Sequence, residues 1–372
     1  MASTVMTNGT SGTPERIGGA STTADTAEAT VTCPAPRGAW RETLGRDPEA
    51  LVSQAPAWVD CMRSFGYEDA SRLYELPGGR RVVLPLVRRR GPIPASRRIC
   101  YSPPPGWGIG GLIADGPLDA AQLKAIVADL HSQPTLGIRI RPNPLHAGLW
   151  AAARSSGAIA IPRLAHVVEL GGGAAVAWKG LNREARWGVR KARRSGLDVE
   201  CDGTGRLVPV FFALLQLSVQ RWAGSQHEPL ALARWRARRR DPLAKLQAMA
   251  AALGDSLRIW AAFKDGAPVA ATIVLTGNNA HSTKSAMDKR LAGPTHAGDL
   301  LQWLAIEEAC KSGCRRYHLG ESGASGALAH FKEKFGARPV PYAEYRFERL
   351  PLTHAEELVK GSVKRLLRFR DA

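Results

Sequence analysis

Ala280-His281-Ser282-Thr283-Lys284-Ser285-Ala286-Met287, then Asp299 to Lys311, then Arg315-Arg316-Tyr317-His318-Leu319-Gly320, then Phe331-Lys332-Glu333-Lys334-Phe335-Gly336 follow one another in the C-terminal half. The patterns predict a strand, a helix, a short strand ending in glycine, and a second helix stopped by Gly336. An acid opens Asp299–Lys311, a lysine closes it and Gly313 lies just beyond, as the helix dipole and the C-cap favour. A strand–helix–strand crossover within one sheet sets its two strands side by side and parallel. Where such strands splay, their N–H and C=O groups open to a ligand, with Lys332 close by. An acyl group on an anionic carrier can be presented to an amine at such an opening.

Upstream, Leu257 to Lys264 alternates, Asp265-Gly266 is a favoured hairpin turn, and Pro268 to Thr276 continues the meander into Ala280 to Met287. Val176 to Ser195, Leu207 to Trp222, and Leu230 to Leu253 (broken at Pro242) are helical. Gly171-Gly172-Gly173 is a joint between two similar halves. In the first half, Trp40 to Met62 is helical, and strands Ser71 to Leu76 and Arg81 to Val87 flank Pro77-Gly78-Gly79. A basic loop, Arg88 to Pro92, and a Pro/Gly loop, Tyr101 to Gly111, follow. Then come a helix Asp119 to His131, a strand Gly137 to Ile140, a helix Leu145 to Ser155 and a strand Ala165 to Leu170. Val340 to Arg349 is a closing strand, and Lys360 to Arg370 a basic helix. The expected class is α/β with mixed sheets: a disordered tail over 1–35, subdomains over 36–165 and 166–350, and a basic helix over 351–372.

Lys and Arg number 51 against 33 Asp and Glu, a net +18 that draws phosphates, whether on nucleic acid, coenzyme, nucleotide-sugar or an anionic membrane surface. The alternative is an arginine-rich composition with no polyanionic partner. Met1 to Thr30 is rich in Ser, Thr, Gly and Ala without an apolar core, which excludes a signal peptide. No run reaches the roughly 18 apolar residues of a membrane span. These features predict a soluble, cytoplasmic chain with no stable protein partner. Six scattered cysteines without a C-x-x-C pair predict reduced thiols and no zinc site.

On a helical wheel Arg183, Arg186, Arg190 and Arg194 share one stripe beside Trp187, with Leu181, Ala185, Val189 and Ala192 opposite. Such a stripe suits phosphate and base contact; a solvated charged face is the alternative. Lys332 borders the apolar stripe Leu328, Phe331, Phe335, while Glu333 and Lys334 are expected to point away. A lysine held there suits a developing oxyanion, or is a snorkelling stem. The loop Gly106-Trp107-Gly108-Ile109-Gly110-Gly111 lacks the strand–turn–helix setting of a dinucleotide site; it presents Trp107 to a ligand or packs it. Asp288, Glu321 and His318 are acid–base candidates by position, and His281 lies in the same segment.

Taken together, Arg190-Lys191-Ala192-Arg193-Arg194-Ser195-Gly196-Leu197, Ala286-Met287-Asp288, Leu300-Leu301-Gln302-Trp303, Arg316-Tyr317-His318-Leu319-Gly320 and Phe331-Lys332-x-x-Phe335-Gly336 resemble the Fem family of peptidyltransferases and its GNAT-type relatives. The likeness covers most of Pro36 to Arg349 and is strongest after Val167. Ile138-Arg139-Ile140-Arg141-Pro142-Asn143-Pro144 and the Gly106 loop are similar to the family's first subdomain. The resemblance implies two tandem GNAT-like subdomains. It implies transfer of an aminoacyl group from aminoacyl-tRNA, as co-substrate and with no tightly bound cofactor, to an amine on a peptidoglycan precursor or natural-product intermediate. Lys332, Asp288 and Glu321 would then be catalytic. Arg186, Trp187, Arg190, Arg194, Trp107, His281, Tyr317, Gly320 and Phe331 would bind substrate. His318 stands where the family commonly has an acid, and no long helical arm interrupts the second half.

Two alternatives stay open. An acyl-CoA enzyme would need a pyrophosphate turn between Met287 and Asp299, where Pro294 removes one N–H. A nucleic-acid-binding module on an inactive transferase fold is the other.

Overall fold

A computed structural model of the chain describes residues 29–151, 157–323 and 325–366. Among these, eleven strands form one mixed sheet. Its order is Asp198–Asp202, Leu257–Lys264, Ala267–Thr276, Ala280–Met287, Arg316–Glu321, Ile159–Glu169, Arg338–Glu348, Gly137–Ile140, Ile99–Ser102, Val87–Arg89 and Tyr67–Asp69. Four short strands, Thr30–Thr32, Arg72–Leu76, Arg80–Leu84 and Ile113–Ala114, make a second sheet.

Strand alternation separates the two faces of the large sheet. Ile259, Ala261 and Ile273 pack with Phe211, Leu214 and Met249 of the helices Val208–Ser225 and Leu243–Leu253. Val274, Ala280 and Tyr317 pack with Val189, Ala192, Trp303 and Ile306 of the helices Arg183–Arg193 and Ala297–Lys311. Gly188 makes that second helix pair close, because a Cβ there would overlap the Asp299 carboxylate.

Ala280–Met287 and Arg316–Glu321 are parallel, as the crossover requires, but they pair only at Ala280↔Tyr317 and His281↔His318. Beyond His318 the second strand also shifts register against its other neighbour, Ile159–Glu169. The gap between the two strands therefore begins at Ser282 and Leu319.

Arg338–Glu348 enters between the halves. It pairs antiparallel with Ile159–Glu169 along Arg338↔Val167 to Arg346↔Ile159, and with Gly137–Ile140 at Tyr345↔Ile140. The boundary expected at 165/166 falls inside the strand Ile159–Glu169. The tail expected over 1–35 lies outside the described residues up to 28, whereas Thr30–Thr32 pairs with Leu73–Glu75. The basic helix spans Leu352–Leu366, and 367–372 lie outside the description. No helix among the described residues is long and apolar enough to cross a membrane.

Several elements escape a sequence reading. Tyr67–Asp69 and Asp198–Asp202 are acid-bearing edge strands whose pairing comes from distant neighbours, which local propensity does not register. Val87–Arg89, expected as the end of one strand and the start of a basic loop, is a strand of its own. Lys289–Thr295 is a short helix despite Pro294, started by the Asp288 side chain accepting from Arg290 N.

Candidate functional site

The gap between the parallel strands holds a small polar hollow. Gly320, at φ 71°, takes a backbone conformation that L-residues with a side chain rarely adopt. A Cβ built there would sit 3.6 Å from Ser282 O and 4.0 Å from both His281 Nε2 and Lys332 Nζ. The missing side chain thus leaves space bounded by a carbonyl oxygen, an imidazole nitrogen and an ammonium.

Lys332 reaches this point from the helix Gly326–Glu333, which starts at the Ser325 side chain accepting from Leu328 N. Its Nζ donates to Glu321 O at 2.6 Å, and the residue is only 5% exposed. Burial pulls its pKa down to about 8, against the opposing field of Glu321. One proton is fixed on that carbonyl, and two remain for a ligand.

His281 is buried, and burial, with the charges of Lys332 and Lys284, pulls its pKa to about 4. His318 lies beside it across the strand pair, ring centroids 6.2 Å apart, and burial takes its pKa to about 3. Both rings are therefore neutral at pH 7. His281 Nδ1 and both His318 nitrogens lack a protein partner. Buried polar atoms are seldom left so, and their concentration here marks a place built for polar company.

A loop of the first half walls the hollow. A Cβ on Gly108 would lie 3.9 Å from His281 Cε1. Ser53 Oγ donates to Ile109 O at 2.7 Å and Gln54 Nε2 to Gly110 O at 3.0 Å, which fixes the loop. On its other side Lys245 Nζ donates to Gly106 O (2.7 Å), Arg240 O (2.9 Å) and Asp241 Oδ1 (3.0 Å). Lys284 Nζ reaches the same Asp241 oxygen at 2.8 Å. Burial alone would raise the Asp241 pKa, but Lys284 and Lys245 hold it at about 2. This buried cluster has no sequence signature beyond an ordinary i, i+4 pair, since Lys284 arrives from a distant strand.

A family model described as an acetyltransferase (GNAT) domain matches residues 179–333. The crystal structure of FemX superposes with a TM-score of 0.63 at 12% identity, covering 86% of this chain and 97% of that one. The fold is Fem-like, of the GNAT acyltransferase type. A tandem GNAT protein from the clavulanic acid biosynthesis pathway aligns at TM-score 0.49 and 16% identity over 86% of this chain and 98% of its own. The C-terminal domain of a putative lysylphosphatidylglycerol synthetase from Agrobacterium fabrum gives 0.49 and 14% over 88% and 96%. No curated protein matches the chain.

Within this Fem-like fold several candidate residues lie elsewhere than their sequence positions suggest. Trp107 is not presented to a ligand: it is buried against Trp58 and Phe65, with the Lys245 ammonium 4.1 Å from its ring. Apolar packing and one cation–π contact explain this, and Gly108 forms the wall instead. Tyr317 is wholly buried in the Trp303 cluster, and its hydroxyl has no protein partner. Asp288 caps the helix Lys289–Thr295, seven strand residues beyond His281 and so about 20 Å from the hollow.

Glu321 offers its backbone carbonyl to Lys332, while its carboxylate is taken by the Tyr342 hydroxyl and Arg163 Nη1 (3.0 Å). Phe331 stacks at a tilt on Phe335, 5.3 Å away. Lys334 does not point away: it is buried and pairs with Glu184 and Asp299 at 3.0 Å each. Arg183, Arg190 and Arg194 are exposed and Arg186 half-buried, while Ala185, Val189 and Ala192 are buried. Trp187 is 49% exposed, between the His296 ring (4.9 Å) and Lys191 (5.0 Å).

Proposed function

We propose that the protein is an N-acyltransferase that moves an aminoacyl group from aminoacyl-tRNA to an amine, on a peptidoglycan precursor or a natural-product intermediate. The observation that carries this reading is the hollow at Gly320, where an ammonium, a neutral imidazole and open strand groups converge. The acceptor amine attacks the ester carbonyl; a C–N bond forms and the carbonyl oxygen becomes an oxyanion beside Lys332 Nζ. Collapse breaks the C–O bond to the ribose. The proton lost by the amine passes through His281 Nε2 to the departing ribose oxygen, so the protein ends unchanged. With Asp288 remote and the Glu321 carboxylate occupied, neither is assigned a base role.

The choice of donor rests on the start of the helix Ala297–Lys311. A CoA pyrophosphate would need free N–H groups and no competing anion at that end. Here Asp299 N and Leu300 N donate to His296 O at 3.0 and 3.2 Å, and the buried Asp299 carboxylate is the local anion. The exposed arginines and Trp187 of Arg183–Arg194 suit a longer polyanion.

The test is mass-spectrometric detection of the acylated amine with charged tRNA, RNase-treated charged tRNA and acetyl-CoA in parallel. Product with intact charged tRNA alone is expected. Product that survives RNase, or that appears only with acetyl-CoA, overturns the donor. Replacing Lys332 by Met is expected to lower turnover by about a hundredfold or more with RNA affinity intact; unchanged behaviour would favour a non-catalytic binding protein.

A further inference from the structure

The helix Leu352–Leu366 is mounted with its polar edge against the body. Thr353 is buried: its N and Oγ1 donate to Glu348 at 2.9 and 2.7 Å, and it accepts from Arg346 at 3.0 Å. One turn on, Glu356 accepts from Arg139 at 2.6 Å and Arg346 at 3.2 Å. These bonds fix the rotation of the helix. At 3.6 residues per turn, Ala355, Leu358, Val359 and Val363 fall on one arc of about 140°, which lies opposite Thr353 and has Glu356 just beyond its Val363 edge. All four are exposed: Leu358 by 57%, Val359 by 64% and Val363 by 46%. An amphipathic helix ordinarily buries that arc. Here it faces outward.

The arc is bordered by cations. Arg365 adjoins the Leu358 edge, Lys360 lies past Glu356 on the Val363 edge and pairs with it at 3.9 Å, and Lys364 is on the opposite face; all three cations are exposed. A second copy seated on this stripe would bring these charges together on chains already at +18, which opposes self-association. An anionic bilayer is complementary to both features. Aliphatic side chains enter the acyl boundary, and flanking lysines and arginines reach the phosphates. We propose that Leu352–Leu366 is an interfacial helix that docks the protein on an anionic lipid surface. The inference stands apart from the choice of acyl donor and tests independently of turnover.

The experiment is flotation of the full chain at physiological salt with phosphatidylcholine vesicles, with and without phosphatidylglycerol. The triple variant Leu358→Ser, Val359→Ser, Val363→Ser keeps every charge. It separates helix insertion from the general attraction of a basic protein. The parent is expected to float with the anionic vesicles. The serine variant should lose at least tenfold in partition while its melting temperature is unchanged. A Lys360→Gln, Lys364→Gln, Arg365→Gln variant should lose the preference for phosphatidylglycerol. The proposal is overturned if the serine variant floats as well as the parent, or if the parent does not float. A parent that self-associates through the stripe instead, with a concentration-dependent mass lost in the serine variant and no flotation, also overturns it.

Discussion

Lys332 can stabilise an oxyanion only as an ammonium, and burial sets the pH window in which it is one. Its pKa is lowered from 10.5 to about 8, so the charged form prevails below about pH 8 and disappears above it. The rate with aminoacyl-tRNA is therefore expected to fall as pH rises through about 8; a flat kcat/KM profile through that range would remove Lys332 from the chemistry. Burying this charge costs about 3 kcal/mol relative to water. Lys332→Met should thus lose on the order of a hundredfold or more in turnover while melting within a few degrees of the parent or above it. Gly320→Ala tests the space itself. The positive φ costs an alanine about 1–2 kcal/mol, and its methyl enters the hollow. Thermal melts and single-turnover rates should show a modest stability loss and a much larger rate loss. A variant that keeps full rate would mean the acyl group lies elsewhere. The Phe331-Lys332 pairing made this lysine visible in the sequence. The Ser282 carbonyl and the space beside Gly320 leave no side-chain mark and needed coordinates.

At the scale of elements, the crossover order predicted the parallel pair, because chain connectivity and handedness leave few arrangements. The wheel of Arg183–Arg194 also predicted its buried face, since Ala185, Val189 and Ala192 pack inward. It did not show that a second basic element, the helix Leu230–Arg240, packs through Ala233 and Ala237 on the helix Val208–Ser225, which covers the opposite face of the sheet. That helix exposes Trp235 with the Arg239 guanidinium 4.9 Å over its ring. Two basic surfaces are thus candidates for holding the proposed polyanionic donor. The first lies beside Asp299 and Lys334, on the helix face that carries Lys332, and is the one expected to hold donor phosphates. Arg190→Ala with Arg194→Ala should weaken tRNA binding and lower the slope of log affinity against log salt by nearly 2. Filter-binding titrations across salt, repeated on Arg238→Ala with Arg239→Ala, decide the matter. If only the second pair changes the slope, the phosphate contact belongs to Leu230–Arg240.

For the whole molecule, the strand Arg338–Glu348 matters most. Its strand character was evident from sequence; its partners were not, because a pattern of alternation does not say which edges a strand joins. It lies between Ile159–Glu169 and Gly137–Ile140, and so completes the first half with chain from the end of the second. Its charged residues bind the halves further. Glu344 accepts from Arg163 (2.6 Å), Arg141 (3.1 Å) and Arg346 (2.9 Å), and these arginines hold its pKa at about 2 although burial alone would raise it. Removing the strand would uncover two sheet edges and take the Glu344 carboxylate from the half-buried Arg141 and Arg163. The two halves should therefore unfold together, in one calorimetric transition. A fragment ending at 337 should be insoluble or molten, as should a fragment covering only 179–333. Two cooperative transitions in the full chain, or a well-folded fragment ending at 337, would show that the halves are autonomous. In that case the first-half loop at Gly108 would be free to leave His281, and the hollow would be a surface formed on docking instead of a preformed site.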